Sequence, residues 1–396
     1  MAPPTPTLPD EILEEIFLRL PPDEPACLVR ASLASKLWLS LLSGPSFQCR
    51  YREFHGDPPM LGFVYSLPEE DSGPLFVSTT KFGAQLTNDE KFDVLDCRHG
   101  RVLLGDKKAG VKPMTLLVCD PMTGYWRELS TPRYGYYDGH VAAVLCAVTG
   151  CDHRACNEGP FTVVFVGIDI GDDVDYVTRT RARVSSLQMD DWSEPCSHLD
   201  EWSEPCSPLD LAEAYIKQKP PLLVQDALYF VYEDDDDHVG ILEYHLGSQL
   251  LALIDVPVVD TGIDCDDGIL ISMGDGSLGL AHVHGLTLNL WSRLVGSNGA
   301  AAWTHRTVIN LENLLPVIYI NITPRLIGSV EGRDIIFMNT RLGIYQINLK
   351  SLQWKKIWRN KSCDALFPYM RFYSRPGISL ATPLYDFGTT LKYVIY

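Results

Sequence analysis

Positive charge is scarce in this chain: 33 Lys plus Arg stand against 51 Asp plus Glu, a net charge of −18. Such a surface repels phosphate backbones, which argues against nucleic acid as a partner. No stretch reaches the roughly 18 consecutive apolar residues of a membrane-spanning helix, so no membrane partner is expected. Residues 1–15 lack the basic start and apolar run of an export signal and the Arg-rich pattern of a transit peptide; a cytoplasmic or nuclear protein is the expectation. The 11 Cys are odd in number and scattered, and without an export signal they read as reduced thiols. There is no phosphate loop, no nucleophile elbow, and no Ser, His and Asp set whose proximity can be argued. The chain is therefore expected to be no enzyme, with no cofactor and no catalytic residues.

What is present is enough apolar material for a real core. Hydrophobic residues make up 46% of the 396 and charged residues 21%, the balance of a chain that folds. At this length one ordinary core does not suffice, so two domains, or a small module plus a repeat domain, are the starting options.

The first sixty residues read as helical. Thr7-Leu8-Pro9-Asp10 has the Thr-x-x-acid form of a capping box, with Pro at an early helical position where its missing N–H costs nothing. Ile12, Leu13, Ile16, Phe17 and Leu20 follow on one face, with Glu11, Glu14, Glu15 and Arg19 facing away. Pro21-Pro22 ends this helix. Asp23 can cap a second helix entered through Pro25, carrying Leu28, Val29 and Leu33; Leu37, Trp38, Leu41 and Leu42 give a third, ended by Gly44-Pro45. Leu18 lies on the otherwise charged face of the first helix. So small a unit carries more large apolar residues than its own core can hide, and the surplus either packs on a second domain or forms a docking surface.

Leu8-Pro9-Asp10-Glu11-Ile12-Leu13-Glu14-Glu15-Ile16-Phe17-Leu18-Arg19-Leu20-Pro21, with Val29-Arg30-Ala31-Ser32-Leu33, Lys36, Trp38 and Leu41-Leu42-Ser43, followed by Pro45-Ser46-Phe47, resembles an F-box, the adaptor-binding motif of SCF-type ubiquitin ligases. The resemblance implies that Leu8, Pro9, Ile12, Leu13, Ile16, Leu20, Leu28, Leu33, Trp38 and Leu41 bind a Skp-type adaptor, and through it a cullin. Ser35 stands where the family often has Cys, and Leu37 and Leu39 where it often has basic residues.

Beyond residue 58 the texture changes to short β-branched and aromatic runs between Gly, Asp, Asn and Pro turns. Residues 161–166, 227–231, 269–271, 334–338 and 343–347 are the plainest of these strands, while only residues 209–217 and 311–315 look like short helical pieces. A polar turn followed by Trp recurs: Asp120 to Trp126, Ser186 to Trp192 and Asn348 to Trp354, more loosely Ser297 to Trp303, and Tyr244 to Leu250 with Leu in place of Trp. Such spacing indicates a β-propeller, in which the recurrent Trp would fill the space between neighbouring blades. Leu103-Leu104, Leu117-Val118-Cys119-Asp120-Pro121 with Trp126-Arg127-Glu128-Leu129, Gly150-Cys151-Asp152-His153, and Phe367-Pro368-Tyr369-Met370 with Phe372-Tyr373 make this region similar to the kelch-like propeller found behind the F-box in large plant, especially grass, families. The expected fold class is therefore multidomain, α plus all-β: a small three-helix F-box in residues 5–55, then a propeller-like substrate-recognition domain in residues 58–396.

Four other features invite chemistry. Gly274-Asp275-Gly276-Ser277-Leu278-Gly279 spells a dinucleotide fingerprint, but the residues after it read as a strand, so a hairpin turn is expected. Cys146, Cys151, His153 and Cys156 offer zinc-type donors without Cys-x2-Cys spacing, and read as reduced loop thiols with no metal. His282 and His284 share a strand face with no third ligand, and residues 233–237 and 264–268 lack the pattern of a calcium loop. The near-repeat of residues 192–200 in 202–210 cannot fit one hairpin position twice, so one copy is expected to be extruded. The Asn321-Ile322-Thr323 sequon is expected to be silent in a protein that is not exported. The reading is a ligase substrate receptor with an unknown target protein on its propeller; the alternative is a non-ligase interaction scaffold whose helices merely pack on the propeller.

Overall fold

The computed structural model describes residues 8–67, 72–80, 86–87, 89–107, 114–131, 136–151, 153, 156, 159–170, 178–185, 202–203, 207–210, 214–234, 236, 238–257, 268–296, 301–316, 324–359 and 363–372. Expectations about Thr7, the Ser186 to Trp192 turn, the first copy of the duplication, residues 264–267 and the sequon lie outside them.

Four helices come first: α1 (Asp10–Leu18), α2 (Pro25–Ala34), α3 (Lys36–Ser43) and α4 (Pro45–His55). The three expected helices are joined by a fourth, because Pro45 occupies the first helical position of α4, where proline is tolerated, and so opens a helix as well as closing one. Pro9 is the N-cap of α1, and Glu24, not Asp23, that of α2; neither makes a side-chain capping hydrogen bond. Ser35 does act as a cap, its Oγ accepting from Leu37 N at 3.2 Å at the start of α3. The core of the module is Leu13, Phe17, Leu18, Leu28, Leu42, Phe47 and Tyr51. Phe17 meets Trp38 edge-on with ring centroids 5.1 Å apart, and the Tyr51 hydroxyl donates to Leu20 O at 2.7 Å. Leu18 is thus core rather than surplus: it turns inward at the end of α1.

Among the described residues, the remainder forms six antiparallel sheets. Sheet I pairs Met60–Tyr65 with Leu75–Ser78 and with the C-terminal strand Phe367–Met370. Sheet II is Phe92–Arg98, Arg101–Asp106, Thr115–Cys119 and Trp126–Ser130. Sheet III is Tyr136–Cys146, Phe161–Ile170 and Thr178–Ser185, with Trp202–Ser203 and Leu209–Asp210 on its edge. In sheet IV, Ala214–Ile216 and Leu222–Val224 share the strand Ala227–Asp234, followed by Val239–His245 and Leu250–Asp255. Sheet V is Gly268–Ser272, Leu278–His284, Thr287–Val295 and Ala301–Asn310; sheet VI is Arg325–Val330, Ile335–Thr340, Gly343–Asn348 and Trp354–Trp358.

Six hydrophobic clusters, one between each neighbouring pair of sheets including VI and I, make these sheets the blades of a closed six-bladed propeller. Both faces of a blade are buried, so its inner strands read as continuous apolar runs: Val163, Val164, Phe165 and Val166 are each at most 1% exposed. Closure joins the first and last described strands, since Phe367–Met370 lies against Met60–Tyr65. Arg371, just beyond it, donates to Asp120 Oδ1 of blade II at 2.5 Å in a buried pair.

Two expectations are corrected here. Residues 209–210 and 214–216 are strands, and residues 311–315 are a single turn closed by Leu315 N to Leu311 O at 2.8 Å; edge pairing overrode helical spacing in the first case, and so short a run cannot sustain a helix in the second. The recurrent tryptophans also divide. Trp126 and Trp354 open the outermost strands of their blades and are 53% and 44% exposed. The inter-blade role belongs to Trp202 and Trp303, whose Nε1 groups donate at 2.7 Å to Ser130 O and Asp255 O, each the last residue of the preceding blade's outer strand. Trp202 belongs to the second copy of the duplicated segment.

Candidate functional site

Helix α1 is amphipathic in both directions. Leu13, Phe17 and Leu18 face the module's core, whereas Ile12 and Ile16, four apart, lie on the other side, with Leu8 just ahead of the helix. Leu8 is 52% exposed, Ile12 and Ile16 47% each, and Pro9 is exposed beside them. Across the junction of α2 and α3, Leu33 is 68% exposed and Leu37 49%. Of the ten sequence-predicted residues, Leu8, Pro9, Ile12, Ile16 and Leu33 are open to solvent; Leu20, Trp38 and Leu41 are half-buried at the margin of the core; Leu13 and Leu28 are buried within it. The last two support the face from behind.

Two exposed apolar residues fall outside that set. Leu37 drew notice only as a departure from a basic position, and Phe54, 54% exposed, lies on α4, the helix that Pro45 concealed. The rim of α1 is braced by charge, since Arg50 of α4 pairs with Glu14 and, at 2.8 Å, with Glu15.

The module is not loosely tethered. Phe372 of the propeller's C-terminal segment is 4% exposed in the helical core, its ring edge-on to Tyr51 at 6.2 Å. Arg333, in the first turn of blade VI, donates to Pro58 O at 2.7 Å, and Arg371 N donates to Pro59 O at 3.1 Å. The helices therefore stand on the propeller face that carries the turns between the first and second strands of each blade.

The polar groups nearest the axis are mutually occupied. Arg98 of blade II donates from Nε to Glu331 of blade VI at 3.0 Å, from Nη2 to the Pro221 carbonyl of blade IV at 3.0 Å, and from Nη1 to Asp96 at 2.6 Å. Leu223 N completes the knot on Glu331 at 2.8 Å. Blades II, IV and VI alternate around the ring, so contacts joining all three span its axis. Burial raises the Asp96 carboxyl to about 7, with Arg98 pulling it down and Glu331 pushing it up.

The other motifs resolve simply. Gly276, at φ 77°, sits in a hairpin in which Met273 N donates to Ser277 O at 3.0 Å, and the strand Leu278–His284 follows where a phosphate-binding helix would be needed. Asp234 organises a hairpin tip by accepting from His238 N at 2.8 Å. His282 is buried and His284 exposed, their rings 6.4 Å apart. Cys146, Cys151, His153 and Cys156, by contrast, converge: one donor atom from each lies within 4.8 Å of all the others. Sequence spacing hid this, because the loop doubles back through Gly150 at φ 69° and His153 at φ 59°.

No curated protein sequence matches this chain. Solved structures align at low similarity. They include a chain from a structural and mechanistic analysis of two prolyl endopeptidases (15% identity, TM-score 0.32, covering 73% of this chain and 36% of that one). TolB from Acinetobacter baumannii aligns at 11% identity and TM-score 0.36, covering 81% and 69%. An α-L-arabinanase from Penicillium chrysogenum aligns at 12% and 0.38, covering 80% and 89%. This chain thus spans about a third of the prolyl endopeptidase chain, and TM-scores below 0.5 decide nothing about fold or activity. Family comparison is decisive: residues 6–50 match the F-box domain, and residues 93–373, more than half of the chain, match the family described as F-box protein AT5G49610-like, beta-propeller. The chain belongs to that family and, with an F-box domain ahead of its propeller, is an F-box protein of the substrate-receptor type.

Proposed function

We propose that this protein is the substrate-recognition subunit of an SCF-type ubiquitin ligase. The stripe of Leu8, Ile12 and Ile16, with Leu33 beside the α2–α3 junction, docks on a Skp-type adaptor that links it to a cullin; the propeller holds a target protein. The protein forms no bond itself: it contributes effective concentration and orientation, keeping lysines of the target near the charged conjugating enzyme. The observation that carries this reading is that Ile12 and Ile16, each 47% exposed, lie in the matched F-box segment on a helix whose opposite face is fully packed. Leaving two isoleucines half in water favours a partner that covers them. The rigid joint at Phe372 suits the role, since a presented target must stand at a fixed distance from the adaptor.

The test is the double substitution Ile12→Asp with Ile16→Asp in the full chain, read by pull-down with a recombinant Skp-type adaptor. Loss of adaptor binding at an unchanged melting temperature supports the receptor reading. Retained binding, or no adaptor binding by the unaltered chain, overturns it.

A further inference from the structure

The loop between the first two strands of blade III leaves the sheet at Cys146 and rejoins it at its ladder partner Phe161. We propose that Cys146, Cys151, His153 and Cys156 form a tetrahedral zinc site that closes this loop of blade III on itself where it packs against the first turn of blade II.

Four observations independent of sequence spacing converge on it. The donor atoms already cluster within 4.8 Å, with Cys156 Sγ and His153 Nδ1 3.7 Å apart. Zinc bound at about 2.3 Å to sulfur and about 2.0–2.1 Å to nitrogen sets tetrahedral edges of roughly 3.5–3.8 Å, so the group closes on an ion by moving less than about 1 Å. Second, two of the sulfurs already accept backbone N–H groups two residues on, Cys146 from Val148 and Cys151 from His153, both at 3.4 Å. Donors placed on sulfur stabilise thiolate over thiol, the form a metal ligand takes.

Charge supplies the third. Arg101 of blade II is 0% exposed, and its Nη2 donates at 2.5 Å to the carbonyls of Cys156 and Gly159. Its Nε and Nη1 find no hydrogen-bond partner among the described residues, and Asp120, the carboxylate that acts on it, is already paired with Arg371; a buried cation left short of countercharge is costly. Three thiolates and a neutral imidazole around a dication carry a net charge of −1, which is the missing counterpart. Fourth, the His99 ring of blade II lies parallel to His153, with centroids 4.3 Å apart and planes inclined by 9°, fixing the orientation of the imidazole.

Sulfur and imidazole donors select zinc over magnesium or calcium. On binding, each thiol proton is released to solvent while its sulfur lone pair coordinates the ion, so no oxidant is needed. Four protein ligands leave no position for water, which makes the site structural rather than catalytic.

The full-length chain, purified without chelator, is analysed for metal by mass spectrometry and then loaded with cobalt(II) in place of zinc. The expected result is one zinc per chain and the intense visible absorption of tetrahedral cobalt with thiolate ligands. Both should be lost in Cys151→Ser with Cys156→Ser, whereas His153→Cys should keep the metal and shift the cobalt spectrum. A metal-free wild-type chain with all three thiols open to titration overturns the proposal. So does a disulfide among the three cysteines, or zinc that survives in the double variant. The wild-type measurements decide the matter even if the double variant fails to fold.

Discussion

Tyr51 and Phe372 meet edge to face with ring centroids 6.2 Å apart, although one belongs to the last helix of the F-box and the other to the segment that closes the propeller. The two domains therefore share a hydrophobic core, and the strand Phe367–Met370 leads directly into the helical module. Phe372→Ala should cost about 3 kcal/mol, as for a buried phenylalanine. Calorimetry should resolve the single unfolding transition into two, and an unchanged single transition would mean that the joint lies elsewhere.

The two faces of α1 should respond oppositely to substitution. Ile12→Ala and Ile16→Ala should each change stability by no more than about 0.5 kcal/mol, because these side chains are already half in water. Leu13→Ala, 7% exposed in the module's core, should cost about 2–4 kcal/mol. Urea unfolding of the three variants measures the contrast.

Arg98 is the cation shared by Asp96 and Glu331 at the axis. Arg98→Met removes the pull that partly offsets the effect of burial on Asp96, leaves Glu331 without its cation, and should destabilise the propeller by about 3–5 kcal/mol at neutral pH. The sign with pH follows from Asp96, whose carboxyl burial has raised to about 7. A raised folded-state value contributes stability while the group is protonated, and that stability fades as pH climbs from the unfolded value near 4 through the folded one. The defect should thus be mildest near pH 5 and deepen toward pH 8 in denaturant titrations.

His140 works in the other direction. It is 7% exposed, stacked on Phe165 with centroids 5.8 Å apart, and burial lowers its pKa to about 4, with Asp106 partly opposing. Because it folds neutral, its contribution is complete above the unfolded value near 6.5 and is lost as pH falls toward 4. Over that window the loss amounts to about 2–3 kcal/mol. His140→Phe should flatten the acid limb of a plot of melting temperature against pH.

The tryptophans give a comparison within one chemistry. Trp303→Phe breaks the bond to Asp255 O between blades V and IV and should cost about 1 kcal/mol. Trp126→Phe, at a solvent-facing strand start with 53% exposure, should cost less than about 0.5 kcal/mol. Equal effects of the two would show that the hydrogen bond between blades is not what distinguishes them.

The amino-acid order alone determined what rests on short-range periodicity and turn chemistry. The 3.6-residue spacing of Ile12, Leu13, Ile16 and Phe17 gave α1. The apolar runs of residues 161–166 and 227–231 gave strands buried on both sides, and the Asp275-Gly276 turn ruled out a nucleotide loop. Tertiary structure decided whatever depends on residues far apart meeting. Six blades rather than the turn repeats set the ring, because a Trp six residues after a turn can lie at an outer edge, as Trp354 does, or across a blade boundary, as Trp303 does. Leu18 turned from surplus to core because α4, hidden behind Pro45, packs over α1. Cys146, Cys151, His153 and Cys156 met only through the folding back of their loop. Local sequence fixes torsion angles and which face is greasy; which faces remain uncovered, and which donors converge, depends on packing between segments that the order of residues does not place side by side.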